Sequence, residues 1–113
     1  MHKSDSVYLK HILDSITQIE KYTQDLDVED LIGNRLVQDA VIRQLEIIGE
    51  ATKNLSDDFK NKKLAIPWKD IAGMRDKLIH GYFGVDLESV WLTVSEDIPN
   101  LKAFIQSIDL TED

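Results

Sequence analysis

The sequence contains no cysteine, which excludes disulfide bonds, thiolate zinc sites and cysteine nucleophiles. No apolar run approaches the roughly 18 residues that a membrane-spanning helix needs, and the first residues do not form the apolar stretch of a secretion signal. Glycine and proline are scarce, with five and two residues among 113. We therefore expect a cytoplasmic protein that folds as one domain over residues 1–113 and works without thiol chemistry.

Positive charge is also scarce, since 13 lysines and arginines face 21 acidic residues and leave a net charge of −8. This balance argues against indiscriminate nucleic-acid binding. Residues 53–77 are the exception, because they hold seven cations and four acids and so carry +3, whereas the six cations and 17 acids elsewhere give −11. The local basic zone suits one restricted anionic target, and a solvated lysine-rich loop is the alternative interpretation.

Apolar residues recur at helical spacing in the first half of the chain. A first helix is predicted to start at Ser4 or Asp5, both suitable N-caps, and to end near Gln24. A second helical region covers about residues 28–55, and Gly33-Asn34 is a possible break in it. The apolar face of this second region contains Leu31, Leu36, Ala40, Val41, Leu45, Ile48, Ala51 and Leu55.

Two more helical regions are predicted in the second half of the chain. Pro67 suits the first position of a helix that Gly81 would end just after His80. Asp86 is a suitable N-cap for the last region, and Pro99 predicts a kink or a new helix start within it. No segment predicts a strand, so the expected fold class is all-α, an antiparallel bundle of four to five helices.

Several enzyme motifs are missing from the sequence. There is no glycine-rich phosphate-binding loop and no His-Glu-x-x-His zinc motif. The Glu-x-x-His pairs of a di-iron bundle are also missing. These absences favour a function without a metal or another cofactor, although carboxylate sites for magnesium stay open.

The segment with the most chemical content is residues 75–82, which contains Arg75, Asp76, His80 and Tyr82. Asp76 and His80 are four residues apart, so on a helix they share a face and the carboxylate can orient the imidazole. Arg75 and His80 are five residues apart, which separates them by about 140° around a helix and roughly 7.5 Å along it. They can act on one small group only if the helix end distorts or a second chain contributes.

The chemistry of these side chains suits a phosphodiester. Arginine binds phosphate oxygens bidentately, and histidine can transfer a proton near neutral pH. Because RNA supplies its own nucleophile, the 2′-hydroxyl, Arg75 and His80 could cleave RNA without a metal ion. The structural alternative is a common helix end, where a cationic side chain favours the C-terminal dipole and the Asp–His pair is a surface contact.

Two segments of the chain resemble one known family. Residues 67–86, with an arginine, four residues, a histidine, one residue and a tyrosine, closely resemble the HepT-like branch of the HEPN superfamily. Residues 40–51 resemble the second-helix signature of the same branch. The likeness covers nearly the whole chain, and the two segments together are much more specific than the Arg-His spacing alone.

The resemblance implies a single HEPN-like helical domain that forms a homodimer, with the Arg-His motifs of both chains lining one cleft. It implies a metal-independent endoribonuclease that is the toxin of a toxin–antitoxin system. By position, His80 would be the acid–base group and Arg75 would bind the phosphate and stabilise the transition state. Asp76 would support the site, although the family often has asparagine there and an aspartate would repel phosphate.

The resemblance also implies a partner, a minimal nucleotidyltransferase that acts as the antitoxin. In HepT-like toxins this partner transfers AMP from ATP to the tyrosine that Tyr82 matches. The added phosphate would block RNA by charge and bulk. The alternative function is a non-catalytic helical subunit that docks on a nucleotidyltransferase, and the acidic net charge favours it. A helical dimer with only a scaffolding role is a third possibility.

A second group of charged residues lies on the predicted second helix. Arg43 and Glu46 are three residues apart, and Glu46 and Glu50 are like charges four residues apart. Like charges on one face indicate a cationic partner, which could be Arg75 or the other protomer. A structural salt-bridge network is the other interpretation of these three residues.

Overall fold

The computed structural model describes residues 3–63, 65–73 and 86–108, and within these residues every regular element is a helix. The predicted all-α fold class is therefore confirmed. One α-helical stretch, α5, covers residues 68–73 and reaches the edge of the described range. The other elements are α1 (Lys3–Thr23), α2 (Val28–Ile32), α3 (Arg35–Lys53), α4 (Asp57–Lys62), α6 (Leu87–Leu92), a π-helical turn (Thr93–Asp97) and α7 (Ile98–Gln106).

The core of the bundle is the packing of α1 against α3, with α7 closing one side of α1. Apolar residues recur every three or four positions in both helices, so one face of each helix is apolar and is buried away from water. Full burial of an isoleucine or leucine side chain contributes about 1.5–3 kcal/mol. The most deeply buried apolar residues of these three helices are Leu9, Ile12, Ile16, Ile19, Val41, Leu45, Ile48 and Ile105.

The predicted break at Gly33-Asn34 is confirmed, because α2 ends at Ile32 and α3 begins at Arg35. The Asn34 side chain accepts a hydrogen bond from the Val37 backbone N–H at 3.1 Å and caps α3. The Gln38 side-chain amide donates to the backbone oxygens of Leu31 and Ile32 at 2.9 and 3.0 Å. These two bonds satisfy carbonyl groups that the end of a short helix leaves without partners.

Leu36 does not belong to the apolar face on which the sequence analysis put it. Its side chain is 78% exposed, whereas Leu45 on the same helix is buried. The two residues are nine positions apart, which at about 100° per residue places them on opposite sides of the helix. The core-facing side of α3 therefore begins with Val37, which is half-buried against the core, and not with Leu36.

The start of α1 is also different from the prediction. The helix begins at Lys3, so Ser4 and Asp5 lie inside the first turn and are not its N-cap. The Asp5 carboxylate is buried and accepts two hydrogen bonds from Ser56, one from the backbone N–H and one from the hydroxyl, each at 2.7 Å. An acidic residue that was predicted to cap its own helix instead joins α1 to the start of α4.

The last helical region changes from α-helix to π-helix just before Pro99, where a kink or a new helix start was predicted. A π-helical turn covers Thr93–Asp97, and α7 starts at Ile98 with Pro99 in its first turn. Proline has no N–H to donate to the preceding turn, which accounts for a new helix start at this point. Among the described residues, no helix is both long enough and apolar enough to cross a membrane.

We predict that Asp5→Ala lowers the free energy of unfolding by about 2 kcal/mol, because it removes the charged acceptor of two hydrogen bonds and leaves the Ser56 N–H unsatisfied. Denaturant unfolding followed by tryptophan fluorescence measures the loss. The matched control is Asp14→Ala, which removes an exposed carboxylate from the same helix and should change stability by less than about 0.5 kcal/mol. Equal losses in the two variants would contradict a specific role for Asp5.

Candidate functional site

The predicted site residues Arg75, Asp76, His80 and Tyr82 lie outside the described residues. The structure does describe the chain on both sides of them, up to Gly73 and again from Asp86. We call the intervening residues 74–85 the motif segment. The contacts that hold these two flanks fix where the chain enters and leaves the motif segment.

The flank before the motif segment is fixed by Trp68 in the first turn of α5. Its side chain is buried, and its indole Nε1 donates a hydrogen bond to the backbone oxygen of Lys63 at 3.0 Å. Its ring lies 5.7 Å from that of Phe59 in α4 and 5.8 Å from that of Phe104 in α7, measured between ring centroids. Such tilted and edge-on contacts stabilise aromatic pairs beyond simple burial, so α5 starts from a well-defined point.

The flank after the motif segment is fixed by Asp86, which caps α6 as predicted. Its carboxylate accepts hydrogen bonds from the backbone N–H groups of Glu88 and Ser89 at 3.0 and 3.3 Å, and from the Ser89 hydroxyl at 2.9 Å. The Ser89 hydroxyl and then the backbone N–H groups favour the charged form, so they hold the pKa of Asp86 below its usual value.

The two flanks meet on the last helical region of the chain. Trp68 contacts Phe104 of α7, and Asp86 begins α6, which joins α7 through the π-helical turn. The helix α6 itself packs against α2. The described flanks on both sides of the motif segment are therefore connected to the same helical region, one through the Trp68–Phe104 contact and the other through α6.

On α3, the structure brings together two of the three charged residues singled out in the sequence. Arg43 Nη1 lies 3.7 Å from Glu46 Oε2, and their side chains are 69% and 24% exposed. Exposed pairs at this spacing contribute about 0.3–0.5 kcal/mol. The geometry agrees with the structural interpretation of this pair. Glu50 is exposed on the next turn, and its backbone oxygen accepts a hydrogen bond from the Asn54 side chain at 2.9 Å.

Part of the basic zone, residues 53–77, lies on the short helices α4 and α5. Lys62 lies 3.2 Å from Asp58, and Lys60 lies 3.9 Å from Asp57, each measured between the lysine Nζ and a carboxylate oxygen. Both pairs have the three- or four-residue spacing that brings side chains together on a helix. Within the described ranges, no three histidine or acidic side chains are grouped closely enough to hold a metal ion.

The contact between Trp68 and Phe104 has no signal in the sequence. The two residues lie 36 positions apart, and no local pattern pairs them. The contact joins the flank of the motif segment to α7, and only the folded chain makes it visible. The hydrogen bond of the indole to Lys63 could have been suspected, because a buried tryptophan N–H needs an acceptor nearby.

The all-α fold, together with the Arg75 and His80 spacing in the sequence, is what a helical bundle of the HEPN class has. The family model described as Ribonuclease HepT-like matches residues 12–108, and the chain belongs to this family. The membership confirms the resemblance drawn from the two sequence segments. It also assigns the chain to a family of ribonucleases.

Individual relatives agree with this assignment. A protein of Thermococcus cleftensis named "Probable ribonuclease HepT" is 49% identical over 96% of this chain and 98% of its own length. A protein of Methanocaldococcus jannaschii named "Putative RNase MJ0125" is 46% identical over 99% of each chain. Another from that organism, "Gamma-glutamylcyclotransferase and putative RNase MJ0434", is 53% identical over 96% of this chain but only 49% of its own length. No solved structure matches the chain.

We predict that Asp86→Ala lowers the melting temperature in a pH-dependent way. A lowered carboxylate pKa stabilises the fold above the ordinary aspartate pKa of about 3.9, and this stabilisation is lost as pH falls through the folded-state pKa. The melting-temperature difference between wild type and variant should therefore be largest above about pH 5 and should shrink toward pH 3. Thermal unfolding at a series of pH values, followed by circular dichroism, measures it.

The matched control for this prediction is Asp97→Ala. Asp97 stands at the N-cap of α7 but makes no side-chain capping hydrogen bond there. Its removal should change the melting temperature less, and without the same dependence on pH. A pH-independent difference for Asp86→Ala would show that the charged cap is not what stabilises this flank.

Proposed function

We propose that this chain is a metal-independent endoribonuclease that cleaves RNA through the 2′-hydroxyl and acts as the toxin of a toxin–antitoxin system. The observation that carries the proposal is the presence of Arg75 and His80, at the family's spacing, in a chain that belongs to a ribonuclease family. The flanks on either side of the motif segment, held by the Trp68 contacts and by the Asp86 cap, support it, because catalytic side chains need a rigid frame.

The proposed reaction needs one proton removed and one supplied. As the 2′-oxygen forms its bond to phosphorus, its proton passes to a neutral imidazole. The bond from phosphorus to the 5′-oxygen then breaks, and that oxygen takes a proton from an imidazolium. His80 is assigned to proton transfer, and the Arg75 guanidinium is assigned to the negative charge that develops on the phosphoryl oxygens. The products are a 2′,3′-cyclic phosphate and a 5′-hydroxyl.

A homodimer suits this chemistry better than a monomer. Each chain has one motif histidine, whereas the reaction uses a base and an acid on opposite sides of the phosphorus. Two chains whose motifs line one cleft supply both groups. The arrangement also removes the spacing problem, since an arginine and a histidine five residues apart on one helix point in different directions. Asp76 is assigned to supporting His80, its neighbour four positions along.

Tyr82 is proposed as the site of control. Transfer of AMP from ATP by a minimal nucleotidyltransferase would form a bond from the tyrosine oxygen to the α-phosphorus, with release of pyrophosphate. The added phosphate would lie two residues from His80 and would repel an incoming RNA phosphate. This modification, and the nucleotidyltransferase antitoxin as the partner that carries it out, follow from the match of Tyr82 to the family's tyrosine.

The net charge of −8 favours a second candidate, a non-catalytic subunit that docks on a nucleotidyltransferase. An acidic surface binds RNA poorly outside its basic zone. This candidate predicts tight binding of the nucleotidyltransferase by a protein that does not cut RNA. The two candidates are separated by whether purified protein has ribonuclease activity that depends on His80.

We predict that purified wild-type protein cleaves RNA with EDTA present and that His80→Ala reduces the rate by at least about 100-fold, the contribution typical of a positioned acid–base group. Gel analysis of a labelled RNA, with identification of the cyclic phosphate end, measures this. The matched control is His11→Ala, which removes an exposed histidine from α1 and should cleave like wild type. Cleavage that survives His80→Ala, or is absent from wild type, would rule out the proposed mechanism.

The same His80→Ala variant tests whether two chains share a site. Because the proposed reaction takes one histidine from each chain, a mixed dimer of wild type and His80→Ala should be inactive. After full subunit exchange in an equal mixture, about one quarter of the dimers keep both histidines, so cleavage should fall to about one quarter of the wild-type rate. Sedimentation must show a dimer of the 12.9 kDa chain. Cleavage at about half of the wild-type rate would place both groups within one chain.

We predict that the nucleotidyltransferase partner and ATP add the mass of one or more AMP groups to the wild-type chain and that Tyr82→Phe abolishes the addition, because phenylalanine has no phenolic oxygen. Intact-mass spectrometry measures the change. Tyr22→Phe, which alters a half-buried tyrosine at the end of α1, is the control and should gain mass like wild type. An unchanged mass gain in Tyr82→Phe would exclude Tyr82 as the acceptor.

A further inference from the structure

We propose that Lys63 and Lys69 form a phosphate-binding surface that extends the RNA site beyond the motif segment, and we call these two residues the lysine rim. The proposal rests on the ribonuclease function proposed above, and it adds two binding residues to that function. It comes from the lysines of α4 and α5 that the structure leaves exposed and unpaired among the described residues.

Two lysines of α4 are already paired with acidic side chains. Lys60 and Lys62 lie within 3.9 and 3.2 Å of the carboxylates of Asp57 and Asp58, so their charge is partly neutralised. Lys63 follows directly, at the C-cap of α4, and is exposed without a carboxylate partner in the described part of the chain. Its backbone is held in place because its carbonyl oxygen accepts the indole hydrogen bond of Trp68.

The helix α5 carries a second exposed lysine. Trp68 faces the core, and Lys69 on the adjacent position is exposed, again with no carboxylate partner among the described residues. One turn later, a β-carbon built on Gly73 would meet no heavy atom of the described residues within 4 Å, so these residues leave the surface beside Lys69 open. A glycine one turn from a lysine permits close approach of a nucleic-acid backbone. The exposed Asp70 is the one acid adjoining Lys69 in sequence.

The lysine rim is related to the motif through the helix that contains Lys69. The sequence predicts that this helix continues to His80, which lies outside the described residues. On such a helix, eleven residues from Lys69 to His80 amount to three turns plus about 20°, so the two positions share a face. They would be separated by about 16 Å along the axis. An RNA strand with its scissile phosphate at His80 could then reach Lys69 with a phosphate a few nucleotides away.

The charge of the rest of the chain also favours RNA binding at the lysine rim. Outside residues 53–77 the chain carries −11, which repels an RNA backbone, whereas the zone that contains the lysine rim carries +3. Opposed fields of this kind orient a polyanion and limit where it can bind. We infer that the rim guides one strand of RNA toward the motif segment and is responsible for part of its affinity.

The test is the salt dependence of RNA binding, because each phosphate contact on a single strand contributes about 0.7 to the slope of log K against log salt. A fluorescent oligouridylate is titrated with His80→Ala protein, which does not consume it. Adding Lys63→Ala and Lys69→Ala together should reduce the slope by about 1.4 and weaken binding several-fold at low salt. The charge-matched control is Lys10→Ala with Lys21→Ala, two exposed lysines of α1.

The expected result is a reduced slope for the rim pair and an unchanged slope for the α1 pair, with equal melting temperatures. In an otherwise wild-type chain, the rim pair should raise KM for RNA much more than it lowers kcat. Equal slopes in all proteins, or equal reductions in both pairs, would overturn the rim. So would loss of nucleotidyltransferase binding with RNA binding intact, which would make the surface a protein-docking site. Failure of the ribonuclease proposal is separate, since it appears as absence of cleavage by wild type.

Discussion

The flank that precedes the motif segment depends on one contact, the packing of the Trp68 indole against Phe59 and Phe104. The indole is buried with its N–H bonded to the Lys63 carbonyl, so it can neither turn nor withdraw without exposing apolar surface and losing that bond. The neighbouring helices α4 and α5 meet the distant helix α7 at this ring. The helix α5 starts there, and its starting direction is therefore set by α4 and α7 together.

A chain of contacts connects this ring to the first turn of α1. The Asp5 carboxylate accepts both Ser56 donors, and the Ser56 hydroxyl in turn accepts the Phe59 N–H at 3.1 Å, which places the Phe59 ring against Trp68. A buried charge is costly unless fully hydrogen-bonded, so α1 and α4 can separate only with a large loss of stability. The short helix α4, which at six residues would not be stable alone, is held by this connection. The frame of the site thus extends to the first turn of α1.

The sequence was sufficient for the helices and insufficient for their connections. Local signals act over a few residues, so the break at Gly33-Asn34, the Asp86 cap and the new start near Pro99 were all predictable. Leu36 was misplaced because its face depends on where the periodicity of α3 begins. Asp5 was misassigned because its partner, Ser56, is 51 residues away and no pattern relates them. The Arg75, His80 and Tyr82 site came from family resemblance, since helical geometry alone points Arg75 and His80 in different directions.

The acidity of the chain is compatible with an RNA substrate because of where the charge lies. A uniformly basic protein binds RNA at many places, most of which do not present a phosphate to a catalytic group. Here the acidic residues outside residues 53–77 disfavour such binding, and the basic zone overlaps the start of the motif segment. Within that zone, Asp57 and Asp58 pair with two lysines and leave Lys63 and Lys69 available among the described residues. In the proposed ribonuclease, the affinity for RNA phosphates would therefore be concentrated at the lysines nearest to Arg75 and His80 in the sequence.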